Sequence, residues 1–397
     1  MSVFDRLVGQ DETVRVLQTA ARAAVSVAAG QEVPAGALTH AWLFTGPAGS
    51  GRSVAAQAFA AALQCERTDD PGCGQCQACR MVLHSGHPDV AVLATEGLSI
   101  SVSQARGLVR KASSRAMVGR WSVVIVEDAD RLSEQASNAL LKAVEEPAPG
   151  TIFMLCAPST HPDDVSVTIR SRCRHLTLRT PPTAAVADVL RADGLDADTA
   201  DWAAAAGQGH IGRSKRLARD QAARDHRAAV LAIPASLTSL QKCLAAAEHL
   251  IASAKAEADA ISAELDGQET STLEASLGIG ATGRGAAAAA RGTAGQLKDL
   301  AERQKKRNTR NNRDFLDRAL VDLAAFYRDV LLLQARAEVP AAHPDFADDA
   351  VAVSLCVPPA GVLQRIDAIL ACRTALEQNV KPQIAIEALT AALRLPA

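Results

Sequence analysis

Ala41-Trp42-Leu43-Phe44-Thr45-Gly46-Pro47-Ala48-Gly49-Ser50-Gly51-Arg52-Ser53 is the stretch that decides the fold. A short apolar run, Ala41 to Phe44, feeds a glycine loop that ends in a basic residue and a hydroxyl. Loops of the form G-x4-G-K-[ST] cradle phosphates with backbone N–H groups at a helix start, while the Lys reaches the terminal phosphates and the hydroxyl ligates magnesium. Arg52 stands where such loops carry Lys. Its planar fork keeps the charge but does not replace a compact ammonium in a tight loop.

About a dozen residues downstream, Cys65, Cys73, Cys76 and Cys79 form a C-x7-C-x2-C-x2-C knuckle. Four thiolates make a closed tetrahedral set suited to structural zinc, and the two C-x2-C steps let neighbouring sulfurs converge on one ion. Such a site keeps no open position for catalysis. His84 and His87 lie nearby as alternative ligands, but four cysteines already complete the set. The remaining cysteines, Cys156, Cys173, Cys243, Cys356 and Cys372, read as small buried apolar residues.

Further outward, Val123-Val124-Ile125-Val126 and Ile152-Phe153-Met154-Leu155-Cys156 are buried-strand runs, with helical stretches such as 133–145 between them. Short apolar strands alternating with helices over residues 1–180 predict a parallel sheet covered on both faces. The Val123–Val126 run ends in Glu127-Asp128-Ala129-Asp130. Phosphate-loop ATPases place an Asp there to hold magnesium. Pro181-Pro182 breaks the alternation, and everything after it reads as helical. Residues 181–224 form a small helical lid with Gly207, Gly209 and Gly212 as caps and turns. Residues 225–397 form a helical domain, with Leu316, Leu320, Leu323, Tyr327 and Val330 at helical spacing, and Ile366, Ile369 or Leu370, and Leu376 likewise.

Residues 278–295 are low-complexity Gly/Ala and read as a mobile loop. A basic stretch follows, with Lys298, Arg303, Lys305, Lys306, Arg307, Arg310 and Arg313; it is a solvated helix face or a contact for phosphates. Arg106, Arg110, Lys111 and Arg115 pose the same choice before the 123–126 strand. The 397 residues carry a net charge of -2, so no global pull toward nucleic acid or membrane exists, and any such contact must be a local patch. The N-terminus lacks a signal-peptide pattern and no apolar run is long enough to span a bilayer, so a cytoplasmic protein is expected.

Taken together, Val8-Gly9-Gln10, the phosphate-loop remnant, the four-cysteine insertion, the run Asn138 to Pro147 and the triplet Ser171-Arg172-Cys173 resemble the AAA+ clamp-loader family of bacterial DNA polymerase III. The resemblance covers residues 1 to about 220; beyond that it extends only to a helical collar. It implies an α/β AAA+ core, a lid and an all-α collar for oligomerisation. It also implies a hetero-oligomer with gamma/tau motor and delta subunits that places a sliding clamp on primer–template DNA. Motor members follow Asp with Glu, the reverse of Glu127-Asp128, and put a sensing Arg three residues after a glycine, where this chain has Gly212 with Arg213 one residue off. These departures favour the delta-prime branch, a stator whose own ATPase is absent or weak and whose binding of ATP and magnesium is doubtful. Its degenerate nucleotide site comprises Gly46, Gly49, Gly51, Arg52, Ser53, Glu127 and Asp128. In that family the Arg of the triplet, here Arg172 beside Ser171, reaches in trans to a neighbouring motor's ATP. The alternatives are a gamma/tau-type motor of the same loader and a zinc-containing DNA-binding adaptor. Such a chain would be grouped with the DNA-directed DNA polymerase holoenzyme by association.

Overall fold

The computed structural model describes residues 2–277 and 286–396. The chain divides into two compact units, residues 1–218 and 219–397. In the first, five strands form one parallel sheet: β1 (Ala41–Thr45), β2 (Val90–Leu93), β3 (Ser122–Val126), β4 (Thr151–Ala157) and β5 (Arg174–Thr177). Their order is β2-β3-β4-β1-β5, which puts β1 and its glycine loop between two partners. Every residue of β1, β3 and β4 is buried, as a sheet covered on both faces requires.

Alternation divides that burial between two cores. On one face Trp42, Phe44, Ile125, Met154 and Cys156 pack under α1 (Asp11–Ala28), α2 (Arg52–Gln64) and α3 (Gln77–Leu83). Trp42 meets Phe59 of α2 edge-on at 5.0 Å, and its indole N–H donates to Thr39 O at 2.9 Å, so a large buried ring leaves no polar atom unpaired. On the other face Leu43, Val124, Phe153 and Leu155 pack under α4 (Val102–Ala112) and α5 (Glu134–Glu145). Side chains of this size each contribute roughly 1.5–3 kcal/mol on full burial. Serines start these helices: Ser101 forms a capping box with Gln104, Ser133 caps α5, and Ser166 caps the short α6 (Val167–Arg170).

After Pro181-Pro182 come α7 (Thr183–Ala192), α8 (Ala197–Ala206) and α9 (Ile211–Arg219), joined by a small cluster of Val186, Leu190, Ala200 and Ala203. Gly207 caps α8 and Gly209 takes φ +83°, as expected of turn glycines. Gly212 is different, since it lies in the first turn of α9.

Among the described residues, the second unit is helical without strands: α10 (Gln221–Leu231), α11 (Ile233–Ser236), α12 (Leu240–Ser276), α13 (Ala286–Ala335), α14 (Ala347–Cys356), α15 (Pro359–Glu377) and α16 (Pro382–Ala392). Leu316, Leu320, Leu323, Tyr327 and Val330 of α13 are all buried in its core, together with Ile369 rather than the half-exposed Leu370. Two expectations need correction. The Gly/Ala stretch is helical from Ala286, where five consecutive alanines favour helix more than its glycines oppose it; residues 278–285 lie outside the described residues. Cys356, the last residue of α14, is exposed rather than buried, while Cys156, Cys243 and Cys372 are buried. No single helix among the described residues is long and apolar enough to cross a membrane.

Candidate functional site

The glycine loop connects β1 to α2, and its conformation depends on residues without side chains. Gly49 has φ +83°, and a Cβ there would lie 2.7 Å from Cβ of His210. Gly46 sits so close to Leu178 O that a Cβ would lie 2.4 Å from it. His210, between α8 and α9, therefore packs directly on the phosphate loop. Its Nδ1 accepts from the N–H of Arg213 at 3.2 Å, which fixes the ring at the start of α9. Gln10 ties the loop from the other side. Its side chain donates to Arg179 O at 2.6 Å and Ser50 O at 3.4 Å, and accepts from Arg179 N at 3.2 Å.

Polar atoms inside this site are poorly matched. The Ser50 hydroxyl and Nη1 of Arg52 are buried without a hydrogen bond. Around Cys156, at the end of β4, gather the charges of Arg52, Glu127, Asp128 and Asp130; burial pushes its thiol up to about 12. Asp128 does not point freely into the site, because its Oδ2 accepts from Thr95 N at 3.1 Å in the loop after β2. Asp130 is a further carboxyl near both Asp128 and Arg52. Burial raises its pKa, repulsion from Asp128 adds to that, and Arg131 and Arg52 pull the other way. The set fits magnesium–nucleotide chemistry poorly: the ammonium is replaced, one of the two carboxylates accepts a backbone amide, and His210 covers Gly49.

Arg172 follows α6, with Ser171 as the cap residue. Its Nη1 donates to Thr168 O at 2.8 Å and to Ser171 Oγ at 3.2 Å, and Nη2 pairs with Glu145 at the end of α5. Its side chain remains 38% exposed, so the guanidinium is held at the surface rather than buried. Cys173 beside it is half-buried against the α4–α5 face, where burial raises its thiol to about 12.

Across the β2-β3 half of this unit, the four knuckle cysteines converge. Their Sγ atoms all lie within 4.8 Å of one another, close to the roughly 3.8 Å spacing of tetrahedral sulfurs about 2.3 Å from a metal. The backbone favours charge on these sulfurs. Cys76 N donates to Cys73 Sγ and Cys79 N to Cys76 Sγ, both at 3.4 Å, with Cys76 as the cap of α3. The Cys79 thiol draws Cys65 down to about 4 against the opposing effect of burial, and the same contact with burial raises Cys79. These four could hold a metal ion. Neither histidine joins them: exposed His84 bonds Arg80 O, and buried His87 accepts from Asp89 N.

A family model described as DNA polymerase III, delta subunit, matches residues 23–182. The DNA polymerase III subunit delta' of Pseudomonas aeruginosa is 41% identical over 137 residues, covering 34% of this chain and 41% of the relative. The matched region, residues 23–182, is similar in sequence to the delta-prime subunits. The chain spans less than half the length of that relative. DNA polymerase III subunit gamma/tau of Mycobacterium tuberculosis is 31% identical over 204 residues, 50% of this chain and 33% of the relative. A gamma subunit-related protein from Thermotoga maritima aligns over 94% of this chain and 98% of its own, with TM-score 0.40 and 15% identity.

The glycine loop and Glu127-Asp128 thus meet at the C-terminal end of the sheet, whereas Arg172 sits with Glu145 just before the N-terminal ends of β5 and β4, and the cysteine cluster lies elsewhere on the same unit. Reasoning from motifs missed His210 and undervalued Asp130. A histidine between two helices carries no spacing signal, and only the approach of the α8–α9 turn to Gly49 gives it a role. The basic stretch on α13 is largely engaged with neighbours. Arg307 pairs with Asp266 and Glu269, Arg310 with Asp314, and Arg313 donates to Asn379, which supports the reading of a helix face.

Proposed function

We infer that this chain is a non-motor, delta-prime-type subunit of a bacterial DNA polymerase III clamp loader. It acts in the cytoplasm with gamma/tau motor and delta subunits to place the sliding clamp on primer–template DNA. The observation that carries this reading is a delta-prime-like core whose phosphate loop holds Arg52 and is covered by His210. Nucleotide turnover then belongs to the neighbours. The four cysteines hold structural zinc, with no part in the chemistry, and residues 181–224 and 225–397 serve as lid and collar.

Arg172 is the group through which a stator contributes to that turnover. Its pairing with Glu145 is half-exposed, and such pairs are worth about 0–1 kcal/mol, so exchanging the carboxylate for a neighbour's γ-phosphate costs little. A guanidinium supplied in trans stabilises charge developing on that phosphate by roughly 10³–10⁵-fold in rate. The test is a reconstituted loader with wild-type chain or Arg172→Ala, measuring clamp- and DNA-stimulated ATP hydrolysis alongside assembly. A drop of roughly 10³-fold or more at that one interface, with the complex intact, is expected; an unchanged rate would return Arg172 to a structural role. The gamma/tau reading rests on the longer stretch matched by those relatives, and steady ATP hydrolysis by the purified chain alone would establish it instead.

A further inference from the structure

Strand β2 is the last strand on its side of the sheet. Its register with β3 is fixed by Val123 N donating to Asp89 O and Glu127 N donating to Leu93 O. The period of two therefore turns the odd-numbered backbone groups toward β3 and those of Val92 outward. Exposed edges are commonly blunted by charges, prolines or bulges on the strand; Val-Ala-Val-Leu has none of these, and Val92 is 40% exposed.

Beside this edge lies a groove of about 520 Å³ between β2 and α4. Its floor is apolar, from Ala91, Val92, Leu93 and Leu108, and its rim carries Arg110 and Lys111 without an acidic residue among the lining side chains. At the end nearest Ser114 the chain enters the loop before β3, which presents Met117 at 85% and Val118 at 76% exposure. That loop is held firmly. The buried carboxylate of Asp89 accepts from the amides of Met117, Val118 and Gly119 at 2.6, 2.9 and 2.6 Å. An apolar tip, an open strand edge and a cationic rim thus adjoin one another.

We propose that the β2 edge and its groove are a docking site for an extended, acidic segment of a partner protein, which adds to the sheet as a sixth strand. Backbone pairing with Val92 supplies the alignment, and alternate side chains meet the apolar floor. Acidic residues of the segment face Arg110 and Lys111, and an apolar residue beyond the pairing covers Met117 and Val118. Nucleic acid is the poorer match, because phosphates gain nothing from the apolar floor, the open backbone groups or the two exposed apolar side chains. This site is independent of the clamp-loader reading.

The test uses the full chain and a fluorescent ten-residue peptide of alternating Glu and Val, followed by anisotropy. Saturable binding is expected, weakened by at least about tenfold in Arg110→Glu/Lys111→Glu. A peptide N-methylated at every amide, unable to donate from either edge, should lose affinity by a similar factor. Both substituted side chains are exposed, and circular dichroism checks that the fold survives. Absence of saturable binding, or equal binding of the methylated peptide, would overturn the proposal. So would a charge-reversed variant that loses primer–template DNA affinity while the peptide binds neither form.

Discussion

Asp89 shows how one buried carboxylate shapes a surface. Burial alone would raise its pKa, but the three amides of residues 117–119 outweigh that and hold it below the usual carboxylate range. A depressed native pKa contributes stability that is fully present above the unfolded value of about 3.9 and is lost as pH falls through the native value. Asp89→Ala is expected to lower stability by about 1–3 kcal/mol at neutral pH, measured by urea unfolding. The gap between wild type and variant should close as pH drops below about 4; a gap that persists there would remove the carboxylate from the account. At the same scale, Arg52, Glu127 and Asp128 were legible as departures from a phosphate-loop pattern. The contact of His210 with Gly49 was not, since nothing local links residues so far apart in sequence.

Among the elements, α12 and α13 pair through polar groups along much of their length. Arg307 bridges Asp266 and Glu269, Gln304 donates to Asp266 O, Asn308 to Asp259 and Asn311 to Ser262. The Arg307 bond lowers the Glu269 pKa, with burial opposing. Arg307→Ala should therefore loosen residues 262–275, with amide exchange there faster by roughly 3–10-fold and the α13 core around Leu316 to Val330 unaffected. Equal protection in both proteins would show that the arm holds without this bridge. From the sequence the basic stretch was a solvated helix face or a phosphate contact, and the engagement of Arg307 was not visible, because the acids it meets lie some forty residues earlier. The strands divide in the same way. β1, β3 and β4 are fully buried and form continuous apolar runs; β5 is short, partly exposed and polar, whereas β2, Val-Ala-Val-Leu, is an equally apolar run although it lies at the partly exposed edge.

For the whole molecule, the aromatic residues give each unit its own reporter. Trp42, Trp121 and Trp202 all lie in the first unit, and the single Tyr, Tyr327, is buried in the second. If zinc closes the knuckle, a chelator should shift the tryptophan-reported transition to lower denaturant or temperature. Structural zinc sites contribute folding energy directly, and the loss should amount to several kcal/mol. The tyrosine-reported helical transition should stay where it was. Coincident shifts of both would show that the two units unfold as one, and no shift with zinc removed would leave the cluster without a structural role. The location of the core, the helical second half and the four-cysteine insertion were all readable in advance, since each is a local pattern of burial or ligand spacing.

The sequence by itself determined the α/β core with its glycine loop, the break at Pro181-Pro182, the cysteine set and the Arg172 triplet. Each depends on residues close together in the chain, where periodicity and spacing carry the information. Tertiary structure alone decided that His210 covers Gly49, that Asp128 is held by Thr95, that Arg307 of α13 meets Asp266 and Glu269 of α12, and that β2 ends the sheet beside a cationic groove. Those outcomes depend on which distant segments come within a few ångströms of one another, and that is fixed only when the sheet order and helix packing are formed.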